Sequence, residues 1–325
     1  MSKVLKTTRE WGVNKLAVSL LAVCSAVSLA SFADPLTLTW NGGASGSFST
    51  GPWSGGASGH DTPQNGDTLV FGTGGTFEND ISGLSVAGLS FTSATAVTLT
   101  GSQIAVANGG ALATTGAGEV TFSVPLSLGT AATPIVTINV ASGCTNTFNA
   151  CVSGAANIEY TNEGAVNLRA DSDYTGTTRI RLGQIHVYAN NAFGSTAGNT
   201  TYSPAAKTSN ANVHFHGVTM DESFEVPSKN RRGAFTFPNG TTNVFNGAVR
   251  VTDACYFTYG ENVKVSYNGV TYFINPGCTI PSSSVIELNG EGSGFAKWGD
   301  YWSGTGRIYY NAKCYYESTS QPIRL

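Results

Sequence analysis

Charged residues are scarce in this chain of 325 residues. Lysine and arginine together number 17, and aspartate and glutamate number 20, so charged residues make up 11% of the sequence. That is less than half of the roughly 25% usual in soluble domains. Disordered chains combine low hydrophobicity with high net charge, whereas 41% of these residues are hydrophobic and the formal net charge is −3. The composition therefore excludes ordinary disorder and allows a core.

The start of the chain differs from the remainder. Four basic residues precede an uncharged apolar run over residues 16–29, and Ser31 and Ala33 supply small residues at the −3 and −1 positions of a cleavage site. These three features together define a secretory signal peptide, and the run is shorter than the ~20 residues of a membrane-spanning helix. We predict a signal peptide over residues 1–33, cleaved before Asp34, and no transmembrane segment in the mature chain.

Basic clusters of the kind that bind nucleic acid are also missing. Removing the signal peptide takes away four basic residues and one acidic residue, which leaves 13 and 19 and a net charge of −6. Nucleic-acid binding requires a basic patch or stripe. The densest basic group, Lys229 with Arg231 and Arg232, stands beside a predicted turn and fits a solvated loop. We therefore expect no nucleic-acid partner.

Short alternating apolar runs fill the chain after the signal peptide. In residues 82–129, apolar side chains recur at every second position in short runs, and Gly, Asn, Ser or Thr interrupts each run. A two-residue period with one apolar face predicts half-buried strands. Runs this short and closely spaced are typical of a sandwich or a solenoid.

Internal similarity favours the solenoid. One short unit, with the sequence GAGEVTF at its first occurrence, returns along the chain. Its copies are residues 116–122, 154–160, 304–310 and, more weakly, 163–168. A repeated strand unit predicts stacked coils, because one coil cannot bury its inward row alone.

One stretch resembles the autotransporter-associated β-strand repeat, which runs roughly G-x-L-x-L, N-x-Y-T-G-x-T and G-x-L. The matching residues are Gly164, Leu168, Tyr174, Thr175, Gly176, Thr178, Ile180, Gly183, Ile185 and Val187. The match covers residues 163–194, and Asp173 departs from it where the family usually has Asn or a near neighbour. A second set resembles the segment that precedes such repeats: Trp40, Trp53, Pro63, Gly66, Asp67, Val70 and Phe71.

The resemblance implies an all-β fold, a single-stranded right-handed parallel β-helix (a β-solenoid) exported from a Gram-negative-type cell. We expect an N-terminal capping region over residues 34–83 and the β-helix over residues 84–325. The implied location is extracellular or on the outer cell surface, and the implied role is structural or adhesive, without catalytic activity. The expected partners are surface glycans or other cell-surface proteins.

His214 and His216 are the most suggestive candidate metal ligands. Alternate residues of a strand share a face, so the two imidazoles are expected to point the same way. A zinc site takes three or four protein ligands, and the spacing identifies no third. We favour two polar residues on an exposed face, with Phe215 in the core, and predict no metal site.

Two groups of carboxylates raise the alternative of a β-helix that degrades polysaccharides. Asp171 and Asp173 lie in the turn of the repeat, and Asp221, Glu222 and Glu225 form the other group. Such enzymes use clustered carboxylates as acid and base or as calcium ligands. Neither group has a matched Lys or Arg base, and turn capping and solvation account for both. Nucleophile-elbow and phosphate-loop motifs are lacking too, so we predict no catalytic or cofactor site.

Aromatic residues crowd the C-terminal segment. Trp298 and Trp302 are candidates for stacking on sugar rings, which is the alternative of a polysaccharide-binding protein. The other interpretation is a set of aromatic stacks in the last coils, since terminal repeats need atypical caps. We favour the cap.

Five cysteines follow the signal peptide, in a protein bound for a compartment where disulfides persist. Cys144 and Cys151 flank a short loop. The sequence separation of Cys255 and Cys278 is close to one coil, and stacking at about 4.8 Å lies within the usual disulfide Cα separation of about 4.4–6.8 Å. We predict the pairs Cys144–Cys151 and Cys255–Cys278, with Cys314 unpaired. The alternative is five reduced, buried thiols.

Overall fold

The computed structural model of this chain describes most of the sequence after residue 34. The described residues are 35–55, 60–116, 118–161, 163–204, 211–227, 230–253, 255–274, 277–291, 293–296, 302–304, 306–311 and 315–317. The predicted signal peptide lies outside them, as do Lys229, Trp298 and Cys314.

Strands are the only regular secondary structure of the described residues. The first sixteen are β1 Thr37–Trp40, β2 Ser45–Ser47, β3 Trp53–Ser54, β4 Thr68–Phe71, β5 Gly75–Asn79, β6 Ser85–Phe91, β7 Val97–Gly101, β8 Ile104–Thr114, β9 Glu119–Phe122, β10 Leu126–Leu128, β11 Val136–Val140, β12 Thr145–Phe148, β13 Val152–Gly154, β14 Ile158–Tyr160, β15 Ala165–Leu168 and β16 Thr178–Ile180. The others are β17 Gln184–Val187, β18 Asn199–Tyr202, β19 Asn212–Phe215, β20 Thr219–Met220, β21 Ser223–Val226, β22 Asn230–Phe237, β23 Thr242–Phe245, β24 Val249–Val251, β25 Cys255–Tyr259, β26 Lys264–Tyr267, β27 Thr271–Ile274, β28 Gly277–Ile280, β29 Val285–Leu288, β30 Gly294–Ala296, β31 Trp302–Gly304, β32 Arg307–Tyr310 and β33 Tyr315–Glu317.

The strands stack into three sheets. Sheet A follows the order β3-β1-β4-β6-β8-β11-β14-β16-β18-β21-β24-β27-β30-β33, with β10 and β13 attached beside β8. Sheet B follows β2-β5-β7-β9-β12-β15-β17-β19-β22-β25-β28-β31, and sheet C follows β20-β23-β26-β29-β32. Within these sheets each strand pairs in parallel with its equivalent in the next coil, except that β1 and β3 are antiparallel. The chain is therefore an all-β solenoid of stacked parallel strands, as its periodicity predicted.

The coils change their cross-section along the chain. Up to β18 a coil contributes strands to sheets A and B alone, and from β20 onward each coil adds a strand to sheet C. The twelve strands of sheet B, spaced about 4.8 Å apart, make a stack about 50 Å long. Coil length varies as well. Leu168 and Val187 are direct neighbours in adjacent coils, and so are Val187 and Phe215, although the second pair is much further apart in the sequence.

Apolar residues facing inward from sheets A and B form the core. One row of sheet A consists of Leu38, Leu69, Leu89, Leu112, Ile138, Tyr160, Ile180 and Tyr202, and one row of sheet B consists of Phe77, Leu99, Phe122, Phe148, Leu168, Val187, Phe215, Phe237, Tyr259 and Ile280. Every one of these side chains is at most 4% exposed, and each is covered by its neighbours in the adjacent coils. Because full burial of such a side chain stabilises by about 1.5–3 kcal/mol, the rows dominate the stability of the fold.

The turn of the repeat shows why its small residues are needed. Gly183 has φ of 94° and turns the chain after β16, as predicted. At Gly176 the reason is close approach, because a Cβ there would lie 1.9 Å from the carbonyl oxygen of Ala156 in the preceding coil. Tyr174 is buried, and its hydroxyl lies 2.6 Å from Thr178 Oγ1. The Tyr-Thr-Gly stretch therefore packs a corner of the solenoid.

The predicted capping by the aspartates of this turn is not what the structure shows. Asp171 and Asp173 are both exposed, and they flank the buried Ser172. The side chain that accepts a backbone amide is that of Ser172, since Val152 N donates to Ser172 Oγ at 3.4 Å. The shorter hydroxyl fits the coil interior without desolvating a carboxylate, which is costly.

The first strands close one end of the solenoid. Trp40 of β1 and Trp53 of β3 pack edge to face, with ring centroids 5.2 Å apart, and Trp53 Nε1 donates to Phe48 O at 3.0 Å. β4 and β5 already pair in parallel with β6 and β7. The antiparallel pairing is therefore confined to β1 and β3, and β2 already pairs in parallel with β5.

A ladder of asparagine side chains lines the corner that follows sheet C. Asn246, Asn268, Asn289 and Asn311 each donate from Nδ2 to the side-chain oxygen of the preceding coil, and the acceptor at the start is Asp221 Oδ1. The four distances are 2.7 or 2.8 Å. We call these five residues the asparagine ladder. Every bond runs in the same direction, so the carboxylate, which only accepts, stands at the end where a donor is not needed.

Replacing one asparagine of the ladder by aspartate should destabilise the solenoid. Asn268→Asp removes the amide that donates to Asn246 and brings a carboxylate against that acceptor oxygen, so we expect a loss of about 1 kcal/mol in the free energy of unfolding. Asp221→Asn is the control, because an amide oxygen there still accepts from Asn246. Urea unfolding at pH 7 measures both. Equal midpoints for the two variants would show that the ladder contributes nothing to stability.

Candidate functional site

Sheet B carries three histidines on its outer face. His214 in β19 and His216 just after it flank Phe215, whose side chain is fully buried, so the predicted alternation is confirmed. His186 of β17 lies directly opposite His214 in the strand register. It is the neighbouring histidine that the spacing of the sequence did not identify, because the coil from β17 to β19 is longer than the one before it.

The three imidazoles pack against one another and against two further side chains. The rings of His186 and His214 are stacked, with centroids 4.4 Å apart and planes inclined by 13°. His216 stacks on Tyr188 at 4.2 Å, and Arg169 Cζ lies 4.3 Å from the centroid of the Tyr188 ring. We call these five residues the histidine patch. Its ring faces are used for mutual packing.

Hydrogen bonds fix the orientation of the rings. Nδ1 of His186 lies 3.1 Å from Nε2 of His216, and Nε2 of His214 lies 2.8 Å from Gln184 Oε1. An amide oxygen only accepts, so the neutral His214 ring donates from Nε2. Between His186 and His216, one ring nitrogen donates and the other accepts when both rings are neutral.

The surroundings keep these rings neutral. Loss of hydration, together with the positive charges that His186 and His216 would carry, lowers the pKa of His214 to about 4. Burial lowers the pKa of His186 and of His216, and for His216 the charges of His186 and Arg169 add to the effect. At pH 7 all three imidazoles are predominantly unprotonated, which is the form that accepts a proton or binds a metal.

A polar row extends from the patch along the outer face of sheet B. Its members in successive coils are Thr76, Thr98, Thr121, Thr147, Asn167, His186, His214, Thr236, Thr258 and Thr279. Asn167 Nδ2 donates to Thr147 Oγ1 at 3.1 Å, and Thr147 Oγ1 donates to Glu119 Oε1 at 3.1 Å. We call this set the outer row. Its polar groups bond between coils as well as facing solvent.

The carboxylates considered for polysaccharide chemistry do not come together. Asp221 is exposed at the start of the asparagine ladder, and Glu222 is only 1% exposed. Glu225 lies on the outer face of sheet A, in register between Thr201 and Arg250. The three side chains face different directions, so this stretch does not build an acid–base pair.

Glu222 is a buried carboxyl in the core of the solenoid. Thr200 Oγ1 donates to its Oε1 at 2.9 Å, and Oε2 has no hydrogen-bond partner among the described residues. Loss of hydration raises the pKa of Glu222 to about 9, against the smaller opposite effect of the Thr200 hydrogen bond. The carboxyl is therefore protonated at pH 7. The burial of Glu222 could have been predicted from the two-residue period. Glu222, Phe224 and Val226 are at alternate positions, and all three are buried.

His60 and Asp67 form a second titratable pair, near the start of the described chain. His60 Nε2 lies 2.6 Å from Asp67 Oδ2, and Asp67 is fully buried. The carboxylate also accepts from the backbone amides of Leu36 at 2.9 Å and Gln64 at 2.8 Å. These bonds tie the first strand to the turn before β4, which indicates a structural role.

The predicted glycan-stacking pair is only partly placed. Trp302 lies in β31, where its Cα is opposite that of Cys278. Its side chain is outside the described part, and so is the whole of Trp298. Stacking on sugar rings by these two residues stays a prediction.

The predicted disulfides are not present in the structure. Cys144, which is buried, donates its thiol to Gly116 O, while the thiol of Cys151 lies 3.7 Å from Asp173 Oδ1. Cys278 is a free thiol opposite Phe257 rather than Cys255. The coil at this point is shorter than the sequence separation of the two cysteines, so the register assumed for the second pair is wrong.

Two further properties bear on function. Among the described residues, no three His, Cys, Asp or Glu side chains are arranged to hold a metal ion. The same part of the chain has no helix long and apolar enough to cross a membrane.

No protein-family model matches the chain, and comparison with curated proteins and with solved structures finds no match.

Proposed function

We propose that the chain is a structural or adhesive β-solenoid of the outer cell surface or the extracellular space, without catalytic activity. The observation that carries the proposal is the organisation of its polar side chains into ladders between coils. The asparagine ladder and the outer row hold neighbouring coils together. Such bonds between coils stiffen the stack along its length, which suits a stalk or an adhesin.

Two features of the sequence support the location. The predicted signal peptide directs export, and the resemblance to the autotransporter-associated repeat at residues 163–194 suggests a Gram-negative envelope. Surface glycans and other cell-surface proteins are then the partners to expect. Polysaccharide cleavage has less support, because Asp221, Glu222 and Glu225 face three different directions.

Expression of the full-length chain in a Gram-negative host tests this proposal. We expect the exported product to begin at Asp34 by mass spectrometry and an antibody against the chain to label intact cells. Labelled cells should adhere to polysaccharide-coated or host-cell-coated surfaces at least tenfold more than cells without the chain.

The control is Leu21→Arg, which interrupts the apolar run and should abolish processing, labelling and adhesion together. A chain that keeps Met1 and stays inside the cell would contradict the proposed location. New reducing ends released from a panel of polysaccharides by the purified chain would contradict the structural role.

A further inference from the structure

The geometry points to a divalent transition-metal site of two imidazoles, Nδ1 of His186 and Nε2 of His216, on the outer face of sheet B. The metal class is one that accepts nitrogen ligands in tetragonal geometry, namely Cu²⁺ or Ni²⁺. Water fills the remaining positions. The site is independent of the structural or adhesive function.

The distance between the two nitrogens carries the argument. Imidazole nitrogens lie about 2.0–2.1 Å from a bound zinc ion; with a similar bond length, two ligands of one metal are separated by about 2.9 Å at a right angle and about 3.4 Å at the tetrahedral angle. The separation of His186 Nδ1 and His216 Nε2 is 3.1 Å. This value lies between the two limits and nearer the right angle, which favours tetragonal ions.

Packing holds both rings in place before any metal arrives. His186 is stacked on His214, and His216 is stacked on Tyr188, which Arg169 covers from the other side. His186 lies in β17 and His216 directly follows β19, and these two strands are paired in register over four residues. A preorganised pair loses little side-chain entropy on binding.

The hydrogen bond between the two nitrogens has to be given up before both can bind a metal. Binding requires the hydrogen that bridges the two nitrogens to be released or moved to the other nitrogen of its ring. The positive charge of Arg169 opposes binding, so we expect an affinity in the micromolar rather than the nanomolar range.

His214 has a different role from its neighbours. Its Nε2 bonds Gln184 Oε1 at 2.8 Å, and its ring supports that of His186. His214 therefore positions the site and does not bind the metal. This difference between three adjacent histidines provides the test.

Isothermal titration of the full chain with Cu²⁺ or Ni²⁺ at pH 7.5 tests the site, after the accessible thiols, such as that of Cys151, have been alkylated so that they do not compete. Phenylalanine keeps a stacking ring and removes the nitrogens. We expect one saturable equivalent in the wild type, at least tenfold weaker binding in His186→Phe and His216→Phe, and less than a threefold change in His214→Phe. Copper electron paramagnetic resonance of the wild type should show two coordinated nitrogens from imidazole.

Three results would overturn the site. One is the absence of a saturable equivalent in the wild type. Another is wild-type affinity in His186→Phe. A third is an equal loss in His214→Phe, which would show that the metal binds elsewhere in the patch. Circular dichroism of each variant checks that the solenoid is intact. If His216→Phe does not fold, His216→Gln replaces it in the titration, with the same expected loss of affinity.

Discussion

Glu222→Gln should raise the free energy of unfolding at pH 7, by up to about 3 kcal/mol. The wild-type carboxyl is ionised in the unfolded chain at this pH, but it is protonated in the folded chain because burial raises its pKa to about 9. Folding must therefore take up a proton against its ordinary tendency to dissociate. Glutamine keeps the oxygen that accepts from Thr200 and needs no proton. Its NH2 group takes the place of Oε2, which has no partner among the described residues, and the cost of burying these donors reduces the gain.

The sign of the pH dependence follows from the same pKa. The folded state binds one more proton than the unfolded state between the ordinary pKa of 4.5 and the folded pKa of about 9. The stability of the wild type is therefore fully present below pH 4.5 and falls as pH rises through this window, by about 1.4 kcal/mol per unit at most. In Glu222→Gln this slope should disappear.

Urea unfolding between pH 5 and 8.5 measures the slope. Glu225→Gln is the matched control, since Glu225 is exposed a little further along the same stretch, and its slope should equal that of the wild type. Parallel slopes in the wild type and Glu222→Gln would show that Glu222 is ionised in the folded protein and that this interpretation of its burial is wrong.

The fold itself was largely predictable from alternation. Val120 and Phe122, for example, share a parity in the sequence and face the core in the structure. The physical basis is simple, because a strand turns successive side chains to opposite faces and only stacked coils can bury one face of so many short strands. The repeated unit then separated a solenoid from a sandwich.

The register between coils could not be predicted from the sequence. Coils of clearly different length occur side by side, since corners accept insertions as long as the inward rows stay aligned. Cys255 and Cys278 were placed together on the assumption that their separation equals one coil, whereas the structure aligns Phe257 with Cys278. The contact between His186 and His214 was not predicted for the same reason. Even where every strand is correctly assigned, contacts between residues of different coils can be identified only from the structure.

The grouping of the three carboxylates into one cluster was wrong for a different reason. Asp221, Glu222 and Glu225 were grouped because they are close in sequence, but period two sends neighbours to opposite faces. Extending the run of Phe224 and Val226 backward by one period puts Glu222 inside. Sequence proximity is a poor guide to a site in a strand, and parity is a better one.

Ile180→Asp should cost about 5 kcal/mol or more and leave little folded protein at pH 7. Ile180 is fully buried in the inward row of sheet A, where its register neighbours are Tyr160 and Tyr202. Aspartate there loses the packing of the isoleucine and places a carboxylate among aromatic rings, a cost that its neighbours cannot offset by pairing.

The matched control is Arg181→Asp, at the next position along the chain. Arg181 is half-exposed, and its backbone amide, which donates to Tyr160 O at 2.9 Å, is unaffected by the side chain. We expect a change below about 1 kcal/mol, as for most surface substitutions. Because Ile180→Asp can prevent folding altogether, Ile180→Val and Ile180→Ala give a graded series, with expected losses of about 1 and about 2–5 kcal/mol in urea unfolding. Equal losses from Ile180→Ala and Arg181→Asp would show that the inward row of β16 has been assigned to the wrong residues.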